Sequence, residues 1–283
     1  MEGTLWPVLP FTPWLTRWHL TPDGEPLRTH GSDLLPVLWH GQGEGQAAML
    51  KLARSEEERR GAGLMQFWQG DGAARVLAVS EDGAALLLER VSGCRSLTAL
   101  VHAGHDDEAT RLLCAAAARL HRPRPGPLPP LLPLADWFRG LFAGEKQDTR
   151  LHFPAAVARQ LLASPQEVGP LHGDLHHANV LDGGDPGQGG RGWLAIDPKG
   201  LHGERGYDHA NLLCNPDPAT ALRPGRLERQ LAVAAHAARL DPARLARWVM
   251  AYTGLSAAWW LEDGREAEAA QMLALGERAR RLF

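Results

Sequence analysis

The stretch PLHGDLHHANVLDGG, residues 170–184, crowds three histidines, two aspartates and an asparagine into one short segment. Two chemistries compete for it. His172, His176 and His177, with Asp174, are the donor types of a zinc cage. Against that cage, His176 and His177 are neighbours, so in an extended or turn segment their rings point apart, and no second His/Asp cluster follows. In the other reading Asp174 and Asn179 do the chemistry and the histidines pack the loop.

The spacing favours the second reading. His172, Gly173 and Asp174, then four residues, then Asn179 is the spacing of a kinase catalytic loop, with glycine in the place of arginine. In such a loop one carboxylate takes the proton of the attacking hydroxyl and an amide oxygen reaches Mg²⁺. A second metal-binding carboxylate should follow on the next strand, and GWLAIDPKG places Asp197 at the end of an apolar run. A hairpin through the glycine-rich segment 182–192 would bring Asn179 and Asp197 together as the oxygen ligands of Mg²⁺.

This reading makes demands on the N-terminal third. A strand lysine must neutralise phosphates, and a helix glutamate must pair with it. Lys51 sits between apolar neighbours in AAMLKLA, where a buried ammonium is costly unless paired. Glu56, Glu57 and Glu58 open the next helix, behind a Ser55 that fits a capping box with Glu58. Glu58 is the expected partner of Lys51, because Gly61, Ala62 and Met65 continue its face; Glu57 is the alternative. LLLERV, residues 86–91, falls where a hinge strand offers the backbone of Glu89 and Val91 to adenine. GQGEG (41–45) resembles a phosphate loop, but it occupies the turn just before the lysine strand. The nucleotide loop is expected one strand earlier, at THGSD (29–33), with Ser32 and backbone amides facing the phosphates.

The remaining pattern is α+β. Two short segments flank the turn signal Asp23-Gly24; strands follow at 34–39, 47–53, 73–80 and 84–91, with one helix ending at Gly70–Gly72. About five strands thus precede residue 92. DDEATRLLCAAAARLHRP is amphipathic, RPRPGPLPPLLPL is a loop, helices are expected near 134–143 and 154–163, and everything after about 218 is helical. We expect two lobes, residues 1–91 for nucleotide and 92–283 for the catalytic loop and acceptor.

Composition excludes several classes. A net charge of −3 argues against nucleic acid as a partner. Three scattered cysteines argue against a disulfide framework or thiolate zinc and for a reducing, cytoplasmic location. The N-terminus, broken by Pro7, Pro10 and Pro13, reads as mature protein, and no run is long enough to span a membrane.

LHGDLHHANVLD, GWLAIDPKGLHGERGYDHANLLCNP, MLKLA, GDGAARVLA and LLLERVSG resemble the aminoglycoside/hydroxyurea antibiotic resistance kinase family, from about Trp18 to the segment GLSAAWWLEDG. Within it they are most similar to the streptomycin 6-phosphotransferases. The resemblance implies a bilobal protein-kinase-like fold and ATP-dependent phosphorylation of a hydroxyl on an aminoglycoside-like small molecule. It places the catalytic aspartate at Asp174, metal ligands at Asn179 and Asp197, and the nucleotide lysine at Lys51. His172 then supports the loop geometry. Asp208 resembles the helix-start aspartate that holds such a loop, or else it is an N-cap. Glu262 and Asp263 are candidates for the guanidinium groups of streptomycin, or else a solvated helix end; Trp259 and Trp260 read as core. Hydroxyurea or an endogenous metabolite as acceptor, and a nucleotide-binding pseudokinase, are the rival readings. The longer loop 182–192 and an N-terminal extension, residues 1–16, depart from the relatives.

Overall fold

The computed structural model describes residues 10–29, 31–41 and 43–283; most of the N-terminal extension, together with His30 and Gln42 of the two glycine-containing loops, lies outside the described residues. The chain begins with helix α1 (Thr12–Arg17) and strands β1 (Leu20–Pro22), β2 (Leu27–Arg28), β3 (Ser32–Trp39) and β4 (Gln46–Ala53). Helix α2 (Glu56–Trp68) and strands β5 (Val76–Val79) and β6 (Ala85–Glu89) follow. Next come α3 (Leu97–His102), α4 (Asp106–Leu120), β7 (Leu132–Pro133), α5 (Leu134–Trp137), α6 (Arg139–Gly144) and α7 (His152–Ala163). Strands β8 (Val168–Leu171), β9 (Val180–Asp182), β10 (Trp193–Ala195) and β11 (Leu201–Glu204) alternate with loops. The chain ends in α8 (Gly206–Leu213), α9 (Pro218–Ala221), α10 (Arg226–Ala238), α11 (Pro242–Glu262) and α12 (Glu266–Arg280).

The first sheet is antiparallel, in the order β1-β3-β4-β6-β5, with β2 also paired to β3. The segments around Asp23-Gly24 do not face each other. β1 pairs with the far end of β3 (Leu20↔Trp39) and β2 with its beginning (Leu27↔Leu34), so the two lie end to end along one edge. On β4, Ala48 and Leu50 join Phe11, Leu35, Val37 and Leu87 in a small core against α1. Alternation turns Met49 and Lys51 to the opposite face. Lys51 is flanked in register by Leu34 and Leu86.

Ser55 caps α2 by accepting from the Glu58 amide at 3.4 Å, but only half of the expected capping box forms, because the Glu58 carboxylate turns into the protein. The helix stops where Gln69 and Gly70 take positive φ. Its inner face joins the main core, which extends through α4, α7, α8, α11 and α12 and includes the fully buried Tyr207, Phe138 and Trp248.

Two strands, β8 and β11, were not expected; Gly and Pro in VGPL and LHGE hide them. They pair with each other, and the proline-rich loop adds β7 in parallel. β9 and β10 form the expected hairpin. Its glycine-rich connection is held by Arg191, which binds the Glu89 carboxylate and the carbonyls of Gly70 and Ala73. Ala74 and Ala195 exchange a further bond at 3.0 Å, so the hairpin is tied to the segment leaving α2.

The α2 helix crosses residues 197–200 closely: a Cβ at Gly61 would run into the Pro198 carbonyl oxygen, whereas one at Gly63 would rest 3.5 Å from Pro129. Gly→Ala within a helix is ordinarily stabilising by about 1 kcal/mol. Gly63→Ala should therefore hold or raise Tm, while Gly61→Ala should lower it by a few degrees, the signature of overpacking. Thermal unfolding of the two variants checks this.

Candidate active site

A buried cluster of charge occupies the place where β4, α2 and the 197–200 segment meet. The Lys51 ammonium binds one oxygen of Glu58 and one of Asp197. Lys199 reaches the other Glu58 oxygen at 2.9 Å, Glu57 at 3.2 Å and Asp197 at 3.7 Å. Ser32 donates its hydroxyl to Glu58 at 3.1 Å, and its amide donates to Thr29 Oγ1 at 3.1 Å. Ser32 thus braces Glu58 while also lining the cavity beside it. Burial opposes ionisation of Asp197, but Lys51 and Lys199 outweigh it and hold the carboxyl well below its usual range.

Beside this cluster lies a cavity of about 250 Å³. Met49, Leu88, Leu181 and Ile196 give it apolar walls, residues 88–91 its rim, and Lys51, Asn179 and Asp197 its polar end. Thr29 and Ser32 line it too; the described residues of 41–45 do not. Glu89 and Val91 are both at the rim, and the Glu89 side chain is held by the Arg75 amide at 2.8 Å and by Arg191.

The catalytic-loop segment follows β8. Gly173 has φ +85, and a Cβ there would sit 2.8 Å from Leu201, which explains glycine in place of a larger residue. Asp208 is not an N-cap; it is the third residue of α8 and wholly buried. It accepts from the amides of His172 at 3.0 Å and Gly173 at 2.8 Å and from His121 Nε2 at 2.8 Å. Burial works against its ionisation, and His121 and these amides hold its pKa below the ordinary value. His172 is also wholly buried, and burial lowers its pKa, keeping the ring neutral. Its Nδ1 accepts from the Asp174 amide at 3.2 Å, so Nε2 carries the proton and donates to the Ile196 carbonyl at 2.8 Å. The imidazole thereby joins the loop to the strand end that carries Asp197. Asp197 itself has φ +60, held between two backbone bonds, Ile196 N to Asn179 O at 2.9 Å and Lys199 N to His172 O at 2.7 Å.

Asn179 donates to the Asp174 carbonyl at 2.9 Å and to its carboxylate at 3.2 Å. The amide nitrogen is thus spent on Asp174, and Oδ1 is left as an oxygen donor in the cavity that Asp197 also lines. Two hard oxygens with room for phosphate and water fit Mg²⁺. The histidines go separate ways. His176 lies 3.7 Å from Asp174, and His177 is buried with neither ring nitrogen partnered, its pKa pushed down to about 3 by burial. Among the described residues no three His, Cys, Asp or Glu groups converge as a metal site.

One further contact was not read from the sequence. Asn211 donates to Asp174 Oδ1 at 3.1 Å. Its signal was available: Asn211 stands three residues after Asp208 in GYDHANL, on the same helix face.

Beyond Asp174 a second cavity opens, of about 630 Å³. Glu57, Asp136, Asp174 and Lys199 line it with the aromatics Trp137, Tyr207, Tyr252, Trp259 and Trp260. Trp259 and Trp260 pack against the core, as read from the sequence, and also form cavity wall; Glu262 and Asp263 are exposed, the solvated helix end that was the alternative to substrate contact, with Glu262 beside a different surface groove. Both acids stand at the C-terminal end of α11, past the turn that faces the cleft. Asp174 therefore lies where the second cavity meets Asn179 and the first.

Family and fold together define a class, the kinases that move a phosphoryl group to a hydroxyl. The family follows from similarity: residues 17–264 match the aminoglycoside/hydroxyurea antibiotic resistance kinase family, and the chain belongs to it. It is 51% identical over 276 residues to streptomycin 3''-kinase from Klebsiella pneumoniae, covering 95% of this chain and 100% of that one. It is 31% identical over 277 residues to streptomycin 6-kinase from Streptomyces griseus, covering 92% and 85%. The solved structure of aminoglycoside phosphotransferase APH(3'')-Id from Streptomyces rimosus, in complex with ADP and streptomycin, superimposes with a TM-score of 0.57 at 18% identity, over 89% of this chain and 98% of that one. The fold is protein-kinase-like, as the motifs implied.

Burial tends to raise the Asp174 pKa, but His176 and Lys199 prevail and lower it to about 2. A depressed carboxylate pKa contributes stability above the unfolded value of about 3.9 that is lost as pH falls through the folded value. Asp174 is therefore ionised throughout the working range, and kcat/KM should show no acid limb from it between about pH 5 and 9. A pH–rate profile checks this; an acid limb in that range abolished by Asp174→Asn would contradict it.

Proposed function

We propose that this chain transfers the γ-phosphoryl group of ATP to a hydroxyl of streptomycin. The observation that carries the reading is the meeting of Lys51, Asp174, Asn179 and Asp197 at the border of the two cavities. Residues 1–91 form the nucleotide lobe in this reading and residues 92–283 the acceptor lobe. Adenine lies between Met49, Leu88, Leu181 and Ile196, against the backbone of Glu89 to Val91. Lys51, held by Glu58, meets the phosphates. Asn179 and Asp197 are the residues that would hold Mg²⁺, which supplies charge neutralisation on the phosphate oxygens. Asp174, fixed by Asn179 and Asn211, orients the acceptor hydroxyl and takes its proton late, as its low basicity requires. His172 and Asp208 keep the loop in shape.

The acceptor is argued from the second cavity. Three carboxylates and three indoles suit a cationic molecule of drug size, and about 630 Å³ is far more than hydroxyurea needs. Arg265 already stands 4.2 Å over the Trp260 ring, so an indole at this rim takes a guanidinium. Of the two hydroxyls, which lie on different rings of streptomycin, identity of 51% against 31% supports position 3'' over the 6-hydroxyl expected from the resemblance. ATP and free thiols at Cys94, Cys114 and Cys214 are in keeping with the cytoplasm; no helix among the described residues is long and apolar enough to cross a membrane.

Incubation with ATP, Mg²⁺ and streptomycin should yield singly phosphorylated drug, and tandem mass spectrometry should place the phosphate on the aminosugar and not on the guanidino-bearing ring. Kanamycin-type aminoglycosides, lacking guanidino groups, should turn over far less. No turnover of streptomycin would overturn the reading. Asp174→Asn should lower kcat by about 10²–10⁴ with ADP affinity nearly unchanged; stopped assays and calorimetry check the two halves.

A further inference from the structure

The kinase signature accounts for one lysine, Lys51, and the cleft contains two. Lys199 arrives from the opposite side. Its side chain is 15% exposed and lines the acceptor cavity with Asp174, whereas Lys51 lines the nucleotide cavity. Its backbone amide is bonded to the His172 carbonyl at 2.7 Å, so its position is set by the same loop that carries Asp174. The next residue, Gly200, has φ +67 and packs against the Arg60 backbone, which leaves the segment little freedom to swing away. The ammonium is 2.9 Å from Glu58, 3.2 Å from Glu57 and 3.7 Å from Asp197. Lys51 already serves Glu58 and Asp197, and Glu57 is half-exposed toward the acceptor cavity. Lys199 thus joins the two cavities: its ammonium reaches Asp197, which lines the first, while its side chain lines the second beside Asp174.

From this geometry we infer that Lys199 is a catalytic residue, contacting the oxygens of the phosphoryl group as it crosses from nucleotide to acceptor. The inference rests on the phosphotransfer reading above. In the step, the bond between the β,γ-bridging oxygen and the γ-phosphorus breaks, and the bond from the acceptor oxygen to that phosphorus forms. The hydroxyl proton passes to Asp174, and ADP leaves. Lys199 keeps its proton throughout and supplies positive charge from the acceptor cavity, opposite the nucleotide cavity that Lys51 lines. Glu57 and Glu58 act on it as positioning residues. Preorganised charge of this kind acts mainly in the transition state, so its loss should fall on kcat more than on binding.

The test compares Lys199→Met, Lys199→Gln and Lys199→Arg with the unaltered chain in three readouts: kcat with streptomycin, ATP hydrolysis without any acceptor, and ADP affinity by calorimetry. Thermal melts establish which variants are folded. Loss of one such donor is expected to lower kcat by about 10²–10³ in the Met and Gln variants. ATP hydrolysis should fall in parallel, because water then takes the acceptor's place, while ADP affinity stays within about threefold and Lys199→Arg recovers part of the rate. A folded Met or Gln variant with near-normal kcat would overturn the inference. So would a loss matched by weakened ADP binding and not relieved by arginine, since Lys199 would then be only a clamp on Glu58. If the neutral variants do not fold, Lys199→Arg decides alone: kcat unchanged, or lowered no more than ADP affinity, rejects the assignment, and a selective fall in kcat supports it. Failure of the unaltered chain to phosphorylate any acceptor or hydrolyse ATP would instead reject the phosphotransfer reading itself.

Discussion

The ion cluster of Lys51, Glu58, Asp197, Lys199 and Glu57 is the constraint on which the rest of the cleft depends. It gathers three pieces of chain: a central strand, the first turn of the α2 helix that follows it, and, more than a hundred residues later, the segment after β10. Removing these charges from water is costly unless each is matched at close range, and breaking one partner strands another. The geometry is therefore mutually enforced. Glu58 cannot turn back to complete its own capping box, and α2 must approach Pro198 closely enough that only glycine fits at position 61.

A second buried charge does the corresponding work in the larger core. Asp208 takes two consecutive backbone amides and one histidine, so the catalytic loop is suspended from α8 by bonds that water cannot contest. From there the neutral ring of His172 carries the registration across to Ile196, next to Asp197. The two anchors meet at His172 and Lys199, whose backbones are bonded. Groups lining the two cavities thereby share one rigid frame, as the proposed catalysis by positioning would need.

The proposed acceptor cavity is built differently. Its walls are aromatic and its charges come from α2, α5, the 172–179 loop and the segment before β11: Glu57, Asp136, Asp174 and Lys199. Trp137 donates to the Tyr207 hydroxyl at 2.7 Å and meets Trp259 edge to face, so the wall is braced from behind. Rings fixed in this way present faces to a cationic guest at small entropic cost.

Local pattern in the sequence was enough to determine the parts of this protein that operate locally. The spacing of His172, Asp174 and Asn179, the apolar run ending at Asp197, the lone lysine of β4 and the cap at Ser55 each depend on a few neighbouring positions, and the hairpins and amphipathic helices follow the same rule. Lys51 with Glu58 was legible because a buried ammonium demands an anion and only one helix offered acids nearby. Other features were decided by tertiary structure alone. That Lys199 lines the second cavity and that Trp259 and Trp260 form part of its wall depend on where α11 and β11 pack. The short strands β8 and β11 exist only because they find each other, and β1 and β2 share one edge only because β3 is long enough to hold both. Periodicity records which face of an element is buried; it carries no information about which distant face lies opposite, because that choice is made by packing across the whole core.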